Sequence, residues 1–206
     1  MKISKVFGTL LNTNNYIVGD ENNVILFDAS AKLDDILSEV NGRKVHAIFL
    51  THGHWDHVEN IDEIQKFFNC KVYLNKNALK KLKNNEKTFN FDKIINSKLD
   101  DNKFIVVDDG DVFDFGFVKV ECMHTPGHTD CSMCYLVGKE NKILISGDTL
   151  FCDSVGRTDL PTSSDEDMIF SLRKLMKLDG EIKVYPGHGE ETTIENEMQM
   201  LASLTC

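Results

Sequence analysis

The chain has 206 residues, of which 41% are hydrophobic and 27% charged, an ordinary composition for a globular protein with a core. Its formal net charge of −10 argues against a nucleic-acid-binding surface and gives no attraction to an anionic membrane. The segment Met1–Gly8 carries charges where a secretory signal needs apolar residues, and no segment reaches the ~18 apolar residues of a spanning helix. We therefore expect a cytoplasmic protein with reduced cysteines, without a nucleic-acid or membrane partner.

Strands and helices are predicted to alternate along the whole chain. Apolar runs predict strands, and apolar residues spaced along one helical face predict the helices between them. In chain order the first half has a strand at 24–27, a helix at 33–40, a strand at 45–50, a helix at 61–67 and a strand at 72–74. The second half has strands at 112–115, 117–122, 134–137 and 143–145, a helix at 168–176, a strand at 182–185 and a helix at 194–201. Ser30 and Ser164 are placed to cap helices.

Two segments have a structural interpretation. Lys83–Asn102 is rich in Asn, Lys and Asp, and we interpret it as a polar surface connector, with a mobile lid as the alternative. Cys131 and Cys134 form a Cys-x-x-Cys in an apolar run that reads as a strand. Side chains three positions apart on a strand point to opposite faces, so we interpret the pair as two packed thiols.

The strongest chemical signal is the segment Thr51–His57, which holds three His and one Asp. In an extended chain His52 and His54 lie on the same side, because side chains repeat every two residues. A turn into the following helix then brings Asp56 and His57 to a second point. So many unpaired polar side chains would be costly in a partly buried loop, so the segment predicts metal binding.

Three later segments share one layout, in which an apolar strand ends, a Gly permits a sharp turn, and a His or Asp follows. These residues are His128 after Gly127, Asp148 after Gly147, and His188 after Gly187. Ligands in α/β sheets gather outside the carboxyl ends of strands, so we expect these groups to converge with the first segment.

Five His and two Asp exceed the ligands of one tetrahedral zinc and suit two ions that share a carboxylate. We assign His52, His54 and His128 to the first ion. The second ion is assigned to Asp56, His57 and His188, with Asp148 as the bridge between the two. Zinc is the first candidate for both ions, and iron or manganese would accept the same ligands.

Other polar residues near these strands receive different interpretations. Asp28 follows a strand and is a candidate for orienting a ligand His, with a cap or turn role as the alternative. His46 and His124 lack the layout of the ligands and are interpreted as structural. Arg157 and Asp159 are interpreted as an ion pair, with contact to substrate as the alternative.

At this point the sequence resembles the metallo-β-lactamase fold superfamily, through its His-x-His-x-Asp-His segment and the later ligand positions in order. The segments 125–129, 147–151, 156–161 and 185–189 resemble the glyoxalase II branch, and 156–161 in particular its short, single-domain members. The resemblance implies an αββα sandwich with two similar halves and a metal site at one edge. We expect one domain over 1–206, with pseudo-halves of about 1–108 and 109–206, because the predicted ligands come from both halves.

The resemblance also implies a small-molecule substrate and the hydrolysis of hydroxyacyl-thiol esters such as lactoylglutathione. We expect a hydroxide that bridges two ions to attack the thioester carbonyl, with Asp56 as the catalytic residue that orients it or accepts its proton. The chain ends at Cys206 without the additional helical region that helps longer glyoxalase II enzymes to hold glutathione, which leaves the thiol carrier open.

One alternative from another reaction class shares this fold. An iron-dependent persulfide dioxygenase needs a single iron held by two His and a carboxylate. His52, His128 and Asp148 would be those ligands here. Oxygen consumption with a glutathione persulfide distinguishes this alternative from thioester hydrolysis.

Overall fold

The computed structural model describes residues 1–83 and 101–205. The predicted connector or lid at Lys83–Asn102 lies outside the described residues except at its two ends. The first part of the chain forms β1 (Lys2–Phe7), β2 (Asn14–Gly19), β3 (Asn23–Phe27), α1 (Leu33–Val40), β4 (Lys44–Phe49), α2 (Trp55–Val58), α3 (Ile61–Phe68), β5 (Lys71–Asn75), α4 (Lys76–Lys83) and β6 (Phe104–Val107).

The second part of the chain supplies the remaining elements. They are β7 (Val112–Asp114), β8 (Lys119–His124), β9 (Met133–Val137), β10 (Ile143–Gly147), β11 (Leu150–Phe151), β12 (Ser154–Val155), α5 (Asp165–Leu175), β13 (Lys183–Pro186), β14 (Thr192–Thr193) and α6 (Ile194–Thr205). No helix among the described residues is long and apolar enough to cross a membrane.

Two six-stranded sheets form the body of the protein. The first has the order β1-β2-β3-β4-β5-β6, antiparallel from β1 to β3 and parallel from β3 to β6. The second has the order β14-β13-β10-β9-β8-β7, in which only the β10–β13 pair is parallel. All strands of the first sheet come from residues before 108, and all strands of the second from residues after it.

The sheets pack face to face, and helices cover the outer face of each. Phe27 and Phe49 of the first sheet contact Tyr135 of the second, with ring centroids 5.5 Å and 5.2 Å away respectively. Apolar residues of α1, α3 and α4 pack in one outer layer, and those of α5 and α6 pack in the other. This arrangement confirms the predicted αββα sandwich, in which alternate strand residues fill either the central or an outer layer.

The prediction missed three strands of the first sheet, β1, β2 and β6. β2 is wholly buried yet begins with Asn14 and Asn15, which break the apolar pattern that signals a buried strand. The Asn15 side chain accepts a hydrogen bond from the backbone N–H of Ser30 at 2.7 Å and donates to its Oγ at 3.1 Å. Ser30 therefore bonds to Asn15 and does not cap α1. Its predicted role as that cap is wrong, because Lys32 is the N-cap residue.

The predicted cap of α5 and the predicted packing of the two thiols agree with the structure, but the predicted strand through both cysteines is wrong for Cys131, which lies in the turn before β9 (Met133–Val137). The Ser164 side chain accepts a hydrogen bond from the backbone N–H of Asp167 at 3.1 Å, which confirms it as the cap of α5. Cys131 packs in the outer layer of the first sheet and Cys134 in that of the second. Both are buried free thiols, as are Cys70 and Cys122 among the described residues.

The hydroxyl of Tyr135 provides a test of this core. It lies at the centre of the sandwich and donates to the carbonyl oxygen of Leu50 at 2.6 Å, just before the ligand segment. We expect Tyr135→Phe to lower the free energy of unfolding by about 1–3 kcal/mol, because a buried carbonyl loses its partner. Urea denaturation measures this change. Tyr73→Phe, at a half-buried position on β5, is the matched control, and an equal loss in both variants would contradict the account.

Candidate metal centre

The predicted ligands lie at one end of the sandwich, in the segments that follow four strands, with Asp56 and His57 on the short helix α2. Thr51–His57 follows β4, His128 follows β8, Asp148 follows β10, and His188 follows β13. The structure brings all seven side chains together in three overlapping groups, in each of which the candidate ligand atoms lie within 4.8 Å of one another. The groups are His52/His54/His128, His52/His57/Asp148 and Asp56/His57/His188.

The two ends of this cluster correspond to the two predicted ligand sets. In the first set, His54 Nδ1 lies 2.9 Å from His128 Nε2. In the second, Asp56 Oδ2 lies 3.3 Å from His188 Nε2 and 3.5 Å from His57 Nε2.

Asp148 lies between the two sets. Its Oδ1 is 3.3 Å from His57 Nε2, and its Oδ2 is 3.5 Å from the Nε2 atoms of both His128 and His188. This is the position that a carboxylate shared by two ions requires.

Asp28 makes the contact that its proposed orienting role requires. Its Oδ2 accepts a hydrogen bond from His57 Nδ1 at 2.7 Å and from Thr51 Oγ1 at 2.9 Å. Its Oδ1 accepts from the Thr51 backbone N–H at 2.8 Å. Asp28 adopts a φ of 62°, a conformation that Asp and Asn tolerate better than most residues. The carboxylate therefore orients the His57 ring and fixes its Nδ1–H tautomer.

Three further histidines are held through Nδ1. His52 Nδ1 lies 3.0 Å from Thr51 Oγ1, His128 Nδ1 lies 2.9 Å from the Arg157 carbonyl oxygen, and His188 Nδ1 lies 3.2 Å from that of Leu11. A carbonyl accepts only from N–H, so the rings of His128 and His188 direct the Nε2 lone pair toward the cluster. The carbonyl contacts of Leu11 and Arg157 could not be predicted, because a backbone carbonyl carries no residue-type signal.

Thr13 is another residue that the sequence analysis missed. Its buried hydroxyl donates to Asp56 Oδ2 at 2.9 Å. Next to it, Asn14 Nδ2 donates to the carbonyl oxygens of Pro186 and Gly189, at 2.9 and 3.0 Å. Thr13 therefore positions the candidate ligand Asp56, and Asn14 holds the loop that carries His188.

The donor set fits divalent metal ions. Within the described part of the chain, the buried atoms His52 Nε2, His57 Nε2 and Asp148 Oδ1 form no hydrogen bond, and the last two face each other at an ion-pair distance of 3.3 Å. Buried polar atoms normally form a hydrogen bond, so three that form none in one cluster indicate a bound group such as a metal ion. Imidazole and carboxylate groups in this arrangement are ligands of zinc, iron and manganese.

The close packing also explains one glycine. A Cβ added to Gly187 would lie 2.1 Å from Asp148 Oδ1 and 2.8 Å from His57 Cε1. Backbone must therefore pass directly beside the shared carboxylate, and only Gly leaves room for it.

The two ends of the cluster have opposite proton affinities. Burial holds the pKa of His52 well below its usual value, lowers that of His54 to about 3 and lowers that of His128. Burial also opposes protonation of His57, but the carboxylates of Asp148, Asp56 and Asp28 outweigh it and hold the His57 pKa well above its usual value. For His188, hydrogen bonds to Asp148 and Asp56 overcome burial and raise the pKa to about 9.

The two carboxylates of the cluster are ionised. Burial would raise the pKa of Asp148, but the charge of His57 and the hydrogen bond from His188 outweigh it and hold this pKa well below its usual value. The same balance of burial against His57 and His188 lowers the pKa of Asp56 to about 2.

Residues predicted to be structural lie outside the cluster. His46 Nε2 contacts Asn23 Oδ1 at 2.8 Å, and His124 Nε2 lies 3.1 Å from the carbonyl oxygen of Asp130. Arg157 and Asp159 form the predicted ion pair through two contacts of 2.6 Å.

A cavity of about 540 Å³ opens onto the cluster. It exposes five of the predicted ligands and adds mainly apolar walls. Its lining residues are Leu11, His54, Trp55, Asp56, His128, Asp148, Phe151, Val155, Gly156, Arg157, Leu160 and His188. A small organic substrate placed there would reach the atoms that the ligand residues surround.

The family model described as the metallo-beta-lactamase superfamily matches residues 8–188. This chain belongs to the metallo-beta-lactamase superfamily. It is a metal-dependent hydrolase of that superfamily. The segment Thr51–His57 and the three later candidate ligands lie within the matched region.

Two relatives carry functional names. The chain is 33% identical over 177 residues to the hydroxyacylglutathione hydrolase of Francisella philomiragia subsp. philomiragia, covering 84% of this chain and 61% of that protein. It is 31% identical over 179 residues to the probable polyketide biosynthesis zinc-dependent hydrolase PksB of Bacillus subtilis, covering 84% of this chain and 71% of that protein.

Two solved structures share the whole architecture. The BLEG-1 B3 metallo-beta-lactamase superposes with a TM-score of 0.86 at 26% identity, covering 100% of both chains. TTHA1623 in a di-iron-bound form superposes with a TM-score of 0.83 at 28% identity, covering 95% of this chain and 97% of that one.

Asp28 gives a test of how the cluster is held. We expect Asp28→Asn to weaken divalent-metal binding about 10–100-fold, the range for loss of a group that orients a ligand His. Asn tolerates the φ of this position, so the fold should persist. Competition with a chelator measures the affinity, and circular dichroism checks the fold. Unchanged affinity in a folded variant would contradict the role of Asp28.

The opposite proton affinities predict unequal proton release on metal binding. Because ligand nitrogens bind metal only when neutral, ions taken up by His57 and His188 must displace protons at pH 7. Affinity at that end should therefore rise with pH until about 9, the pKa of His188. His52, His54 and His128 are already neutral and should release none. Calorimetry of apoprotein in two buffers of different ionisation enthalpy counts the protons, and release of none at either end would contradict the prediction.

Proposed function

We propose that this enzyme hydrolyses thioesters of the hydroxyacyl-thiol type with two divalent ions, zinc being the first candidate. The observation that carries the proposal is the position of Asp148 between the two His/Asp sets at the foot of the cavity. The printed function of the Francisella philomiragia relative supports the substrate class.

The chemistry of the cavity supports a thiolate as the leaving group. Among the described lining residues, the titratable side chains are predicted ligands or Arg157, which is paired with Asp159. No described lining residue is therefore free to act as a proton donor. Thiols have a pKa near ~8.5, so a thiolate departs without a dedicated acid, unlike an alkoxide or an amine.

The proposed ligand sets are His52, His54 and His128 for one ion and Asp56, His57 and His188 for the other, with Asp148 shared. Bound divalent ions supply Lewis acidity and bring the pKa of a water molecule to about 7. The Nδ1 contacts of the four held histidines keep the rings in place while the substrate enters.

Asp56 is the proposed catalytic residue. It lines the cavity, and its low pKa keeps it ionised at neutral pH. The hydroxyl of Thr13 and His188 Nε2 both contact Oδ2. The carboxylate can therefore accept a hydrogen bond from the attacking water and orient it toward the thioester carbonyl.

Iron is the alternative to zinc as the metal, and persulfide oxidation is the alternative to thioester hydrolysis as the reaction. The di-iron form of TTHA1623 supports iron as a second candidate, and the zinc-dependent relative supports zinc. A single-iron persulfide dioxygenase would use His52, His128 and Asp148 and leave the group Asp56/His57/His188 without a role. The cytoplasmic location and the absence of nucleic-acid or membrane partners stay predictions.

The test is turnover of lactoylglutathione by protein loaded with zinc or iron. We expect Asp148→Asn to lower kcat by about a hundredfold or more, because both ions lose a shared ligand. Asp35→Asn on the exposed face of α1 is the matched control and should retain wild-type turnover. Near-normal kcat in Asp148→Asn would contradict the scheme. Oxygen consumption with glutathione persulfide, without thioester turnover, would favour the dioxygenase.

A further inference from the structure

The turn between β1 and β2 holds a leucine in an unfavourable conformation. Leu11 and Asn12 have φ values of 54° and 52°, and the backbone N–H of Thr13 donates to the Leu10 carbonyl oxygen at 3.3 Å. A tight turn with two successive left-handed residues favours Asn and Gly, not Leu. Leu11 is also 61% exposed, so burial of its side chain does not offset the cost. Strain of this kind concentrates at functional sites.

The backbone of this turn has a clear task, but that task does not explain the leucine. The Leu11 carbonyl oxygen accepts from His188 Nδ1, and the Thr13 hydroxyl donates to Asp56. Hydrogen bonds from Gly8 N–H to the Thr13 carbonyl and from Thr9 N–H to the Ser30 carbonyl hold the base of the turn. Glycine would supply the same carbonyl at position 11 without strain. The role of the leucine therefore lies in its side chain.

Leu11 lines the cavity above the cluster of candidate ligands. The other apolar lining residues come from α2, from β11 and β12, and from the segment before α5. They are Trp55, Phe151, Val155 and Leu160. Apolar walls around a polar base favour a ligand whose reacting group is polar and whose neighbouring groups are apolar.

The described walls of the cavity offer no unpaired cationic side chain to a charged thiol carrier. Arg157 is the only cationic residue among the described lining residues, apart from the histidines of the cluster. Its guanidinium makes both of its 2.6 Å contacts with the carboxylate of Asp159. A substrate carboxylate that bound Arg157 would have to displace Asp159.

We propose that Leu11 is a specificity-determining residue, and that among the proposed thioester substrates the enzyme prefers those whose thiol carrier is uncharged and apolar beside the scissile bond. This inference rests on the proposed thioesterase function and narrows its substrate class to one kind of thiol carrier. The carboxylates of a glutathione carrier find no unpaired cationic side chain among the described residues of the cavity. Leu11 covers the apolar group that adjoins the reacting carbonyl.

The first arm of the test compares two butyryl thioesters, one of N-acetylcysteamine, which is uncharged, and one of 3-mercaptopropionate, which carries a carboxylate. We expect the metal-loaded enzyme to show a kcat/KM at least about tenfold higher for the uncharged ester, the effect of leaving a carboxylate without a partner. Equal values, or a preference for the carboxylate, would overturn the inference.

The second arm uses variants of the turn. Leu11→Gly should raise KM for the uncharged ester about tenfold with little change in kcat, because it removes an apolar contact and not a ligand. It should also retain the fold, since Gly adopts the turn without strain. Asn12→Gly is the matched control, because it places Gly at the adjacent left-handed position of the same turn, outside the cavity lining. An unchanged KM in Leu11→Gly, or an equal rise in both variants, would overturn the inference.

The third arm separates this inference from the proposed function. Two inert thioethers, S-butyl-N-acetylcysteamine and S-butyl-3-mercaptopropionate, are compared by calorimetric binding to the metal-loaded protein. Tighter binding of the uncharged thioether, lost in Leu11→Gly, supports the specificity even if no ester is hydrolysed, in which case only the thioesterase function fails. Hydrolysis of both esters with equal binding of both thioethers would contradict the specificity and leave the thioesterase function standing.

Discussion

The Asp148 carboxylate lies 3.3–3.5 Å from ring nitrogens of His57, His128 and His188, each of which comes from a different segment of the chain. Bringing an ionised carboxylate and these rings out of water costs free energy unless they are paired or bind metal. The other features of this end of the protein either bring these groups together or hold them there. Gly187, for example, leaves the space beside Asp148 that a side chain would occupy.

The two sheets are joined at this end by polar contacts in addition to their apolar core. In the first sheet, Asn14 at the start of β2 holds the loop after β13 through its amide group, and its backbone N–H donates to the Gly187 carbonyl oxygen at 2.7 Å. Tyr16 OH, also on β2, donates to the Pro186 carbonyl oxygen at 2.8 Å. His188 is therefore positioned by residues of the opposite sheet, so that correct packing of the two halves and formation of the candidate site depend on each other.

The sequence predicted the seven side chains that the structure brings together. It missed the Thr13 hydroxyl and the residues that contact the cluster through the backbone. The ligand positions could be found because each couples a strand end, a turn and a metal-binding side chain. The carbonyl oxygens of Leu11 and Arg157 could not, because every residue type offers a carbonyl. β2 escaped prediction for a related reason, since Asn14 and Asn15 face buried polar partners and not apolar ones. The hydrogen bonds between Asn15 and Ser30 also explain why Ser30 does not cap α1.

The central claim is that this chain holds two metal ions that share Asp148. Anomalous X-ray scattering from crystals of the metal-loaded protein, with elemental analysis of the same preparation, tests it most directly. We expect two ions per chain, one among His52, His54 and His128 and one among Asp56, His57 and His188, with Asp148 in contact with both. A single ion held by His52, His128 and Asp148 at saturating metal would contradict it.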